Sequence, residues 1–98
     1  MMKTFSDIQN VIRDNMAELQ RRFGVTKIGI FGSRVRGEQR EDSDLDMLVE
    51  VNRPMGMIKF VQMEQHLSGI TGIRVELFTK GSLKPFSGKR ILEEVRYV

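Results

Sequence analysis

The chain has 98 residues, of which 40% are hydrophobic and 30% charged, with a formal net charge of +3. That is globular composition at the size of a single domain, usually ~100–150 residues, so positions 1–98 are read as one domain. The absence of cysteine and the single histidine, His66, exclude disulfides, thiol catalysis, zinc–thiolate centres and multi-histidine metal sites.

In chain order, residues 6–23 carry Ile8, Val11, Ile12, Met16, Leu19 and Phe23 at helical spacing. Ser6 and Gln9 form a capping-box pattern before them, and Gly24 stops the helix. Residues 25–31 are rich in β-branched and aromatic side chains and predict a strand. Gly32-Ser33 breaks it, and a short polar turn or helix runs to about Glu38, followed by a loop at 39–43. From Asp44 to Val51 the pattern alternates, with Leu45, Met47, Val49 and Val51 opposed to Asp44, Asp46, Leu48 and Glu50. Pro54 suits the first turn of a second helix through Phe60, Val61, Glu64 and Leu67 to Gly69. Ile73 to Phe78 alternates again, with Ile73, Val75 and Leu77 opposed to Arg74, Glu76 and Phe78. A last helix is predicted over about Gly88 to Val98, striped by Ile91, Leu92, Val95 and Val98. The order predicts an α/β fold: a single small mixed β-sheet with helices packed against it.

Charge is not spread evenly. Residues 79–98 hold Lys80, Lys84, Lys89, Arg90 and Arg96 against Glu93 and Glu94, a local +3 equal to that of the whole chain. Such a run is first a solvated helix face. It lacks the interleaved aromatics of a single-strand groove, so nucleic acid is not expected as a direct ligand. No apolar stretch approaches the roughly 20 residues of a membrane span, and the first residues lack a signal-peptide core. A cytoplasmic location without membrane contact is the expectation.

The chemistry concentrates in Gly32-Ser33, ten intervening residues, then Asp44-Leu45-Asp46. A glycine permits close backbone approach at a strand end, and turn amides with a serine hydroxyl can hold an anion. The full G-x-x-x-x-G-K-[ST] pattern is missing, which excludes a Walker-type NTPase. Asp44 and Asp46 leave one face of a strand roughly 6.5–7 Å apart. Burying two such carboxylates is costly, and a hard divalent cation removes the penalty. Two cations about 3.5–4 Å apart can clamp the attacking and leaving oxygens of a phosphoryl displacement. If the strand at Ile73–Phe78 lies beside Asp44–Val51, Glu76 completes a three-carboxylate cluster and can share a metal with the aspartates or accept the proton of an attacking hydroxyl, the plainer alternative being a solvent-facing residue or an ion pair with Arg74. Arg34 and Arg36 flank the Gly-Ser turn and match phosphate geometry, the plainer alternative being pairing with Glu38, Glu41 or Asp42. His66 is expected solvated, and Tyr97 packed by the last helix.

These residues resemble a known signature. Gly32-Ser33-x₁₀-Asp44-x-Asp46, within Ile30-Phe31-Gly32-Ser33-Arg34-Val35-Arg36-Gly37 and Ser43-Asp44-Leu45-Asp46-Met47-Leu48-Val49, is similar to the DNA polymerase β-like nucleotidyltransferases, in particular their minimal (MNT) branch. The resemblance runs from the first helix to Ile91-Leu92-Glu93-Glu94. It implies the polymerase β-like fold, ATP as substrate, and two Mg²⁺ ions. It also implies nucleotide binding by Gly32, Ser33 and Arg34, and metal binding and catalysis by Asp44, Asp46 and Glu76. The family's third carboxylate is usually aspartate. Glu76 departs from that, and its extra methylene moves the carboxylate by about 1 Å, a displacement that positioned catalysis feels.

Many minimal members are paired with a helical HEPN-domain toxin, which the MNT protein adenylylates on tyrosine as its antitoxin. The resemblance therefore implies transfer of AMP from ATP to a HEPN partner. Two alternatives stand beside it: transfer to a small-molecule or RNA hydroxyl, and a non-catalytic module that masks a toxin by contact.

Overall fold

The computed structural model describes residues 4–38, 40, 43–83 and 85–98, without the side chains of 85–87. The expected loop at 39–43 therefore lies partly outside the described residues, as do Glu41, Asp42 and Lys84.

Helix α1 spans Phe5–Phe23. Its cap, Thr4, lies two residues earlier than the Ser6 that the sequence pattern suggests. Thr4 Oγ1 accepts from the Asp7 N–H at 3.1 Å, and the Asp7 carboxylate accepts from the Thr4 N–H at 3.1 Å. Aspartate in the first turn also complements the helix dipole, an advantage Gln9 cannot offer. Gly24, at φ 71°, closes the helix and delivers the chain into strand β1, Val25–Phe31. A single four-residue turn of helix, α2 (Ser33–Arg36), follows. Strand β2 is Leu45–Val51, helix α3 is Met57–Thr71 and strand β3 is Val75–Thr79. A 3₁₀ turn at Lys80–Ser82, helix α4 (Pro85–Glu94) and strand β4 (Arg96–Tyr97) complete the order.

The four strands lie in the order β3-β2-β1-β4. β1 is antiparallel to both β2 and β4, while β2 and β3 are parallel and joined by α3 as a crossover. The sheet is therefore mixed, as expected. One face is covered by α1 and α3. Ile8, Ile12, Leu19 and Phe23 from α1 and Met63 and Leu67 from α3 meet Ile28, Ile30, Leu45, Met47, Val49, Val75 and Leu77 in one buried cluster. The other face carries Phe31, Leu48 and Phe78, with Phe31 and Phe78 rings 5.4 Å apart, and it is there that the acidic residues emerge.

Three boundaries differ from the sequence reading. Pro54 lies outside α3, which starts after Gly56 and runs through Gly69 to a left-handed Gly72. A glycine inside a helix costs about 1 kcal/mol, and here the helix continues to bury Thr71, whose Oγ1 donates to the Leu67 carbonyl at 2.8 Å. The same hydroxyl accepts from the Ile73 N–H at 3.3 Å, so Ile73 is held in a turn and β3 begins at Val75.

The last predicted helix ends early. Residues 96–97 pair with Gly29 and Ile30 of β1 instead, and the Val98 N–H donates to the Ile28 carbonyl at 2.9 Å. The β1 edge would otherwise expose unpaired amides and carbonyls. Gly29 makes the approach possible, because Val95 and Tyr97 occupy the space its side chain would take. Tyr97 is consequently on an edge strand, 40% exposed, with Lys27 Nζ 5.3 Å from its ring. His66 is half-buried rather than fully solvated. It packs 6.2 Å from the Phe23 ring with Nε2 buried. No helix among the described residues is long and apolar enough to cross a membrane.

Candidate active site

β1 ends at Phe31, and the chain reverses at Gly32 with φ 88° and ψ −156°. Only glycine adopts that region freely. Val35 and Arg36 N–H groups donate back to the Gly32 carbonyl at 3.1 and 3.2 Å, which fixes the turn and points Ser33, half-buried, into its start. The place a Gly32 side chain would fill is taken by the Asp46 carboxylate. The Gly-Ser turn and the second aspartate therefore touch, although they are far apart in sequence.

Sheet register supplies the rest. Asp46 is paired with Phe31 of β1 on one side and with Glu76 of β3 on the other. Residues paired in register share a face, so Asp46 and Glu76 project together. Asp44 precedes β2 by one residue and is half-buried. Asp46 is accordingly perturbed: burial, the Glu76 and Asp44 charges and a hydrogen bond with Glu76 push its pKa up to about 6, against an opposing pull from Arg36. Asp46 thus feels both of the other predicted carboxylates.

A cleft of about 280 Å³ opens beside Asp46, lined by Phe31, Gly32, Arg36, Arg90, Ile91 and Glu94. Arg36 faces it. Arg34 does not: its side chain is buried, 7% exposed, donates through Nη2 to the Ser43 carbonyl at 2.8 Å, and lines a separate hollow with Phe5, Val35 and Arg96. The plainer alternative for Arg36 holds in part, since its Nε donates to Glu38 at 3.0 Å. Sequence reasoning did not connect Arg90 and Glu94 with the site. They lie four apart on α4 and so on one helix face, a pattern visible in the sequence, but their meeting with Gly32 is a tertiary event. Glu94 accepts from the Gly32 N–H at 2.9 Å and from Arg36 Nη1 at 2.7 Å. Burial alone would raise the Glu94 pKa, but the two hydrogen bonds and the Arg36 and Arg90 charges together hold it below the ordinary glutamate value.

Among the described residues no three acidic or histidine side chains form a ready-made metal cage. The donor chemistry still fits Mg²⁺, which dehydrates reluctantly and commonly takes one or two carboxylates, with waters and substrate phosphates completing its shell. Asp46 is half-buried, with Glu76 paired beside it in register and the Asp44 charge acting on it, and a divalent cation relieves both the burial of its charge and that repulsion.

Fold and site together define a small α/β domain that sets an acidic cluster against a glycine-serine turn. The profile of the nucleotidyltransferase domain matches residues 12–98, and the chain belongs to that family. It is a nucleotidyltransferase with the small mixed sheet of the minimal members. Protein adenylyltransferase MntA of Thermococcus cleftensis is 44% identical over 97 residues, covering 99% of this chain and 98% of that protein. A Methanocaldococcus jannaschii relative, provisionally named a protein adenylyltransferase, is 39% identical over 98 residues, or 99% of this chain and all of that one. A solved structure, provisionally described as a minimal nucleotidyltransferase, superposes with a TM-score of 0.73 at 30% identity, over 96% of this chain and 98% of its own. A toxin–antitoxin structure with AMP-PNP shares the fold, with a TM-score of 0.74 at 21% identity, over 91% of this chain and 70% of that one.

Proposed function

We propose that this chain transfers AMP from ATP, with Mg²⁺, to a tyrosine hydroxyl of a HEPN-domain toxin and so serves as its antitoxin. The observation that carries the reading is the contact of Asp46 with the Gly32 turn, with Glu76 and Asp44 acting on Asp46. The kinship with a protein adenylyltransferase over nearly the whole chain supports a protein acceptor. The fold it shares with an MntA–HepT toxin–antitoxin complex suggests the kind of partner.

In this reading the Gly32 amide, the Ser33 hydroxyl and Arg36 bind the triphosphate at the mouth of the cleft. Arg36 takes the role that the resemblance gave to Arg34, whose side chain is turned away from the cleft. Arg34 instead braces the Ser43 carbonyl and so steadies the approach to Asp44. Asp44, Asp46 and Glu76 are the residues that would hold Mg²⁺; bound there, the ion offsets charge on the phosphates and lowers the pKa of an oxygen it touches. The acceptor oxygen attacks the α-phosphorus, the bond from that phosphorus to the bridging oxygen breaks, and pyrophosphate leaves. The hydroxyl proton passes to a carboxylate of the cluster. Glu76 is the candidate, because it is exposed where an acceptor would arrive and is coupled to Asp46.

The test is a pair of labelled substrates with Mg²⁺ and the partner. Label in the α-phosphate should become protein-bound and label in the γ-phosphate should not. Transfer of the γ-label would replace nucleotidyl transfer with a kinase reaction.

A further inference from the structure

The two best anion donors of the cleft are already engaged. The Gly32 N–H and Arg36 Nη1 both donate to one carboxylate, that of Glu94, at 2.9 and 2.7 Å. These contacts reach across 62 and 58 positions of sequence, so nothing local produces them. Glu94 projects from the last turn of α4, its side chain only 17% exposed. Two oxygens of one carboxylate on a backbone amide and a guanidinium reproduce what a phosphate would do at the same donors. Arg90, one turn earlier on α4, adds positive charge on the same side.

We propose that Glu94 is an internal competitor for the triphosphate and sets the nucleotide affinity of this site. The inference rests on the reading above, in which these donors bind the triphosphate. A polyphosphate can displace a carboxylate held by two donors, because it brings more charge and more acceptor oxygens. Emptying the donors requires that the Glu94 side chain swing away from Gly32 and Arg36, and the apparent nucleotide affinity falls by the fraction of molecules in which those donors are free.

The experiment measures binding of AMP-PNP, and separately of AMP, by calorimetry in the presence of Mg²⁺. Wild type is compared with Glu94→Gln, which keeps size and an acceptor oxygen but removes the charge. Glu94→Gln should tighten AMP-PNP about 1.5- to 5-fold, the effect of releasing a partly exposed ion pair. AMP should tighten by no more than that factor, since the competitor costs every phosphate that uses these donors the same fraction of free sites. In an Arg36→Gln background the gain from Glu94→Gln should shrink, because the competed donor is gone. Thermal midpoints identify any variant that is misfolded, and Glu94→Asp, which keeps the charge, should bind AMP-PNP less tightly than Glu94→Gln. Weaker AMP-PNP binding by a folded Glu94→Gln would overturn the proposal and make Glu94 a brace for the turn. Absence of AMP-PNP binding in every variant, wild type included, would overturn the triphosphate reading itself and this proposal with it.

Discussion

Asp46→Asn separates the catalytic cost of the acidic cluster from its structural cost. In the folded chain the Asp46 pKa stands at about 6, against an ordinary 3.8, because burial and the neighbouring Glu76 and Asp44 disfavour its charge. The folded state therefore holds the Asp46 proton more tightly than the unfolded state does. Below pH ~4 both states are protonated and the site costs nothing. Between about pH 4 and 6 the unfolded chain loses the proton first, so stability falls as pH rises. Above pH 6 the penalty is complete. At 1.36 kcal/mol per pKa unit the rise corresponds nominally to about 3 kcal/mol. The carboxylate is in part open to water, and solvent screening reduces this to about 1–2 kcal/mol. Asparagine cannot ionise, so with EDTA present the variant should melt higher than wild type at pH 7.5, by about 4–8 °C for each kcal/mol in a domain of this size. At pH 4 the two midpoints should converge. Mg²⁺ should raise the wild-type midpoint at pH 7.5 and leave that of the variant nearly unchanged. Scanning calorimetry from pH 4 to 8 reads all of this. A midpoint difference that is constant across that range would refute the reasoning, because it would show that Asp46 carries no strained charge.

Gly32→Ala should be more harmful than a surface glycine change. The ψ near −156° at positive φ costs a side-chain-bearing residue on the order of 1–3 kcal/mol, and the new methyl collides with the Asp46 carboxylate. Lower thermal stability together with lost transfer is expected, and a variant with wild-type activity would show that the turn relaxes without moving Asp46. Ser33→Ala should leave the midpoint near wild type and raise the KM for ATP, by roughly 10- to 150-fold if its hydroxyl bonds a phosphate oxygen, the cost of a hydrogen bond to a charged group being about 1.5–3 kcal/mol. An unchanged KM would leave Ser33 a turn residue only. Glu76→Gln should cut transfer by about 10²-fold or more, the contribution of a positioned acid–base group. Glu76→Asp should retain activity, and steady-state label transfer distinguishes the two.

How much of this was legible beforehand depends on the range of the forces involved. The alternation of Leu45, Met47 and Val49 and of Val75 and Leu77 reports burial on one face of a strand, and both strands are present with those residues buried. Helix α1 was equally plain, apart from a cap decided between two nearby polar pairs. Strand β4 was not, because Arg96 and Tyr97 are extended only by virtue of pairing with the β1 edge beside Gly29, whereas their local sequence continues a helical stripe. At the site, the spacing of Gly32, Ser33, Asp44 and Asp46 could be read, since the turn and the strand are local. Two residues apart in a helical turn differ by roughly 200° around its axis, so Arg34 and Arg36 could not both face one cleft. Which of them does depends on how α2 docks, and Arg34 is turned to Ser43. The engagement of Glu94 with Gly32 joins residues 62 positions apart, and no periodicity encodes it.

The central claim is that the acidic cluster performs a reaction on a partner, and one paired measurement addresses it most directly. Wild type and Asp46→Asn are each combined with the HEPN-domain partner, ATP labelled in the α-phosphate and Mg²⁺. Label on the partner's tyrosine is then scored against suppression of the partner's toxicity in cells producing the same pair. The account predicts that wild type labels and suppresses, while the folded Asp46→Asn variant does neither. Full suppression by Asp46→Asn without label would contradict it and reduce the chain's role to masking its partner by contact.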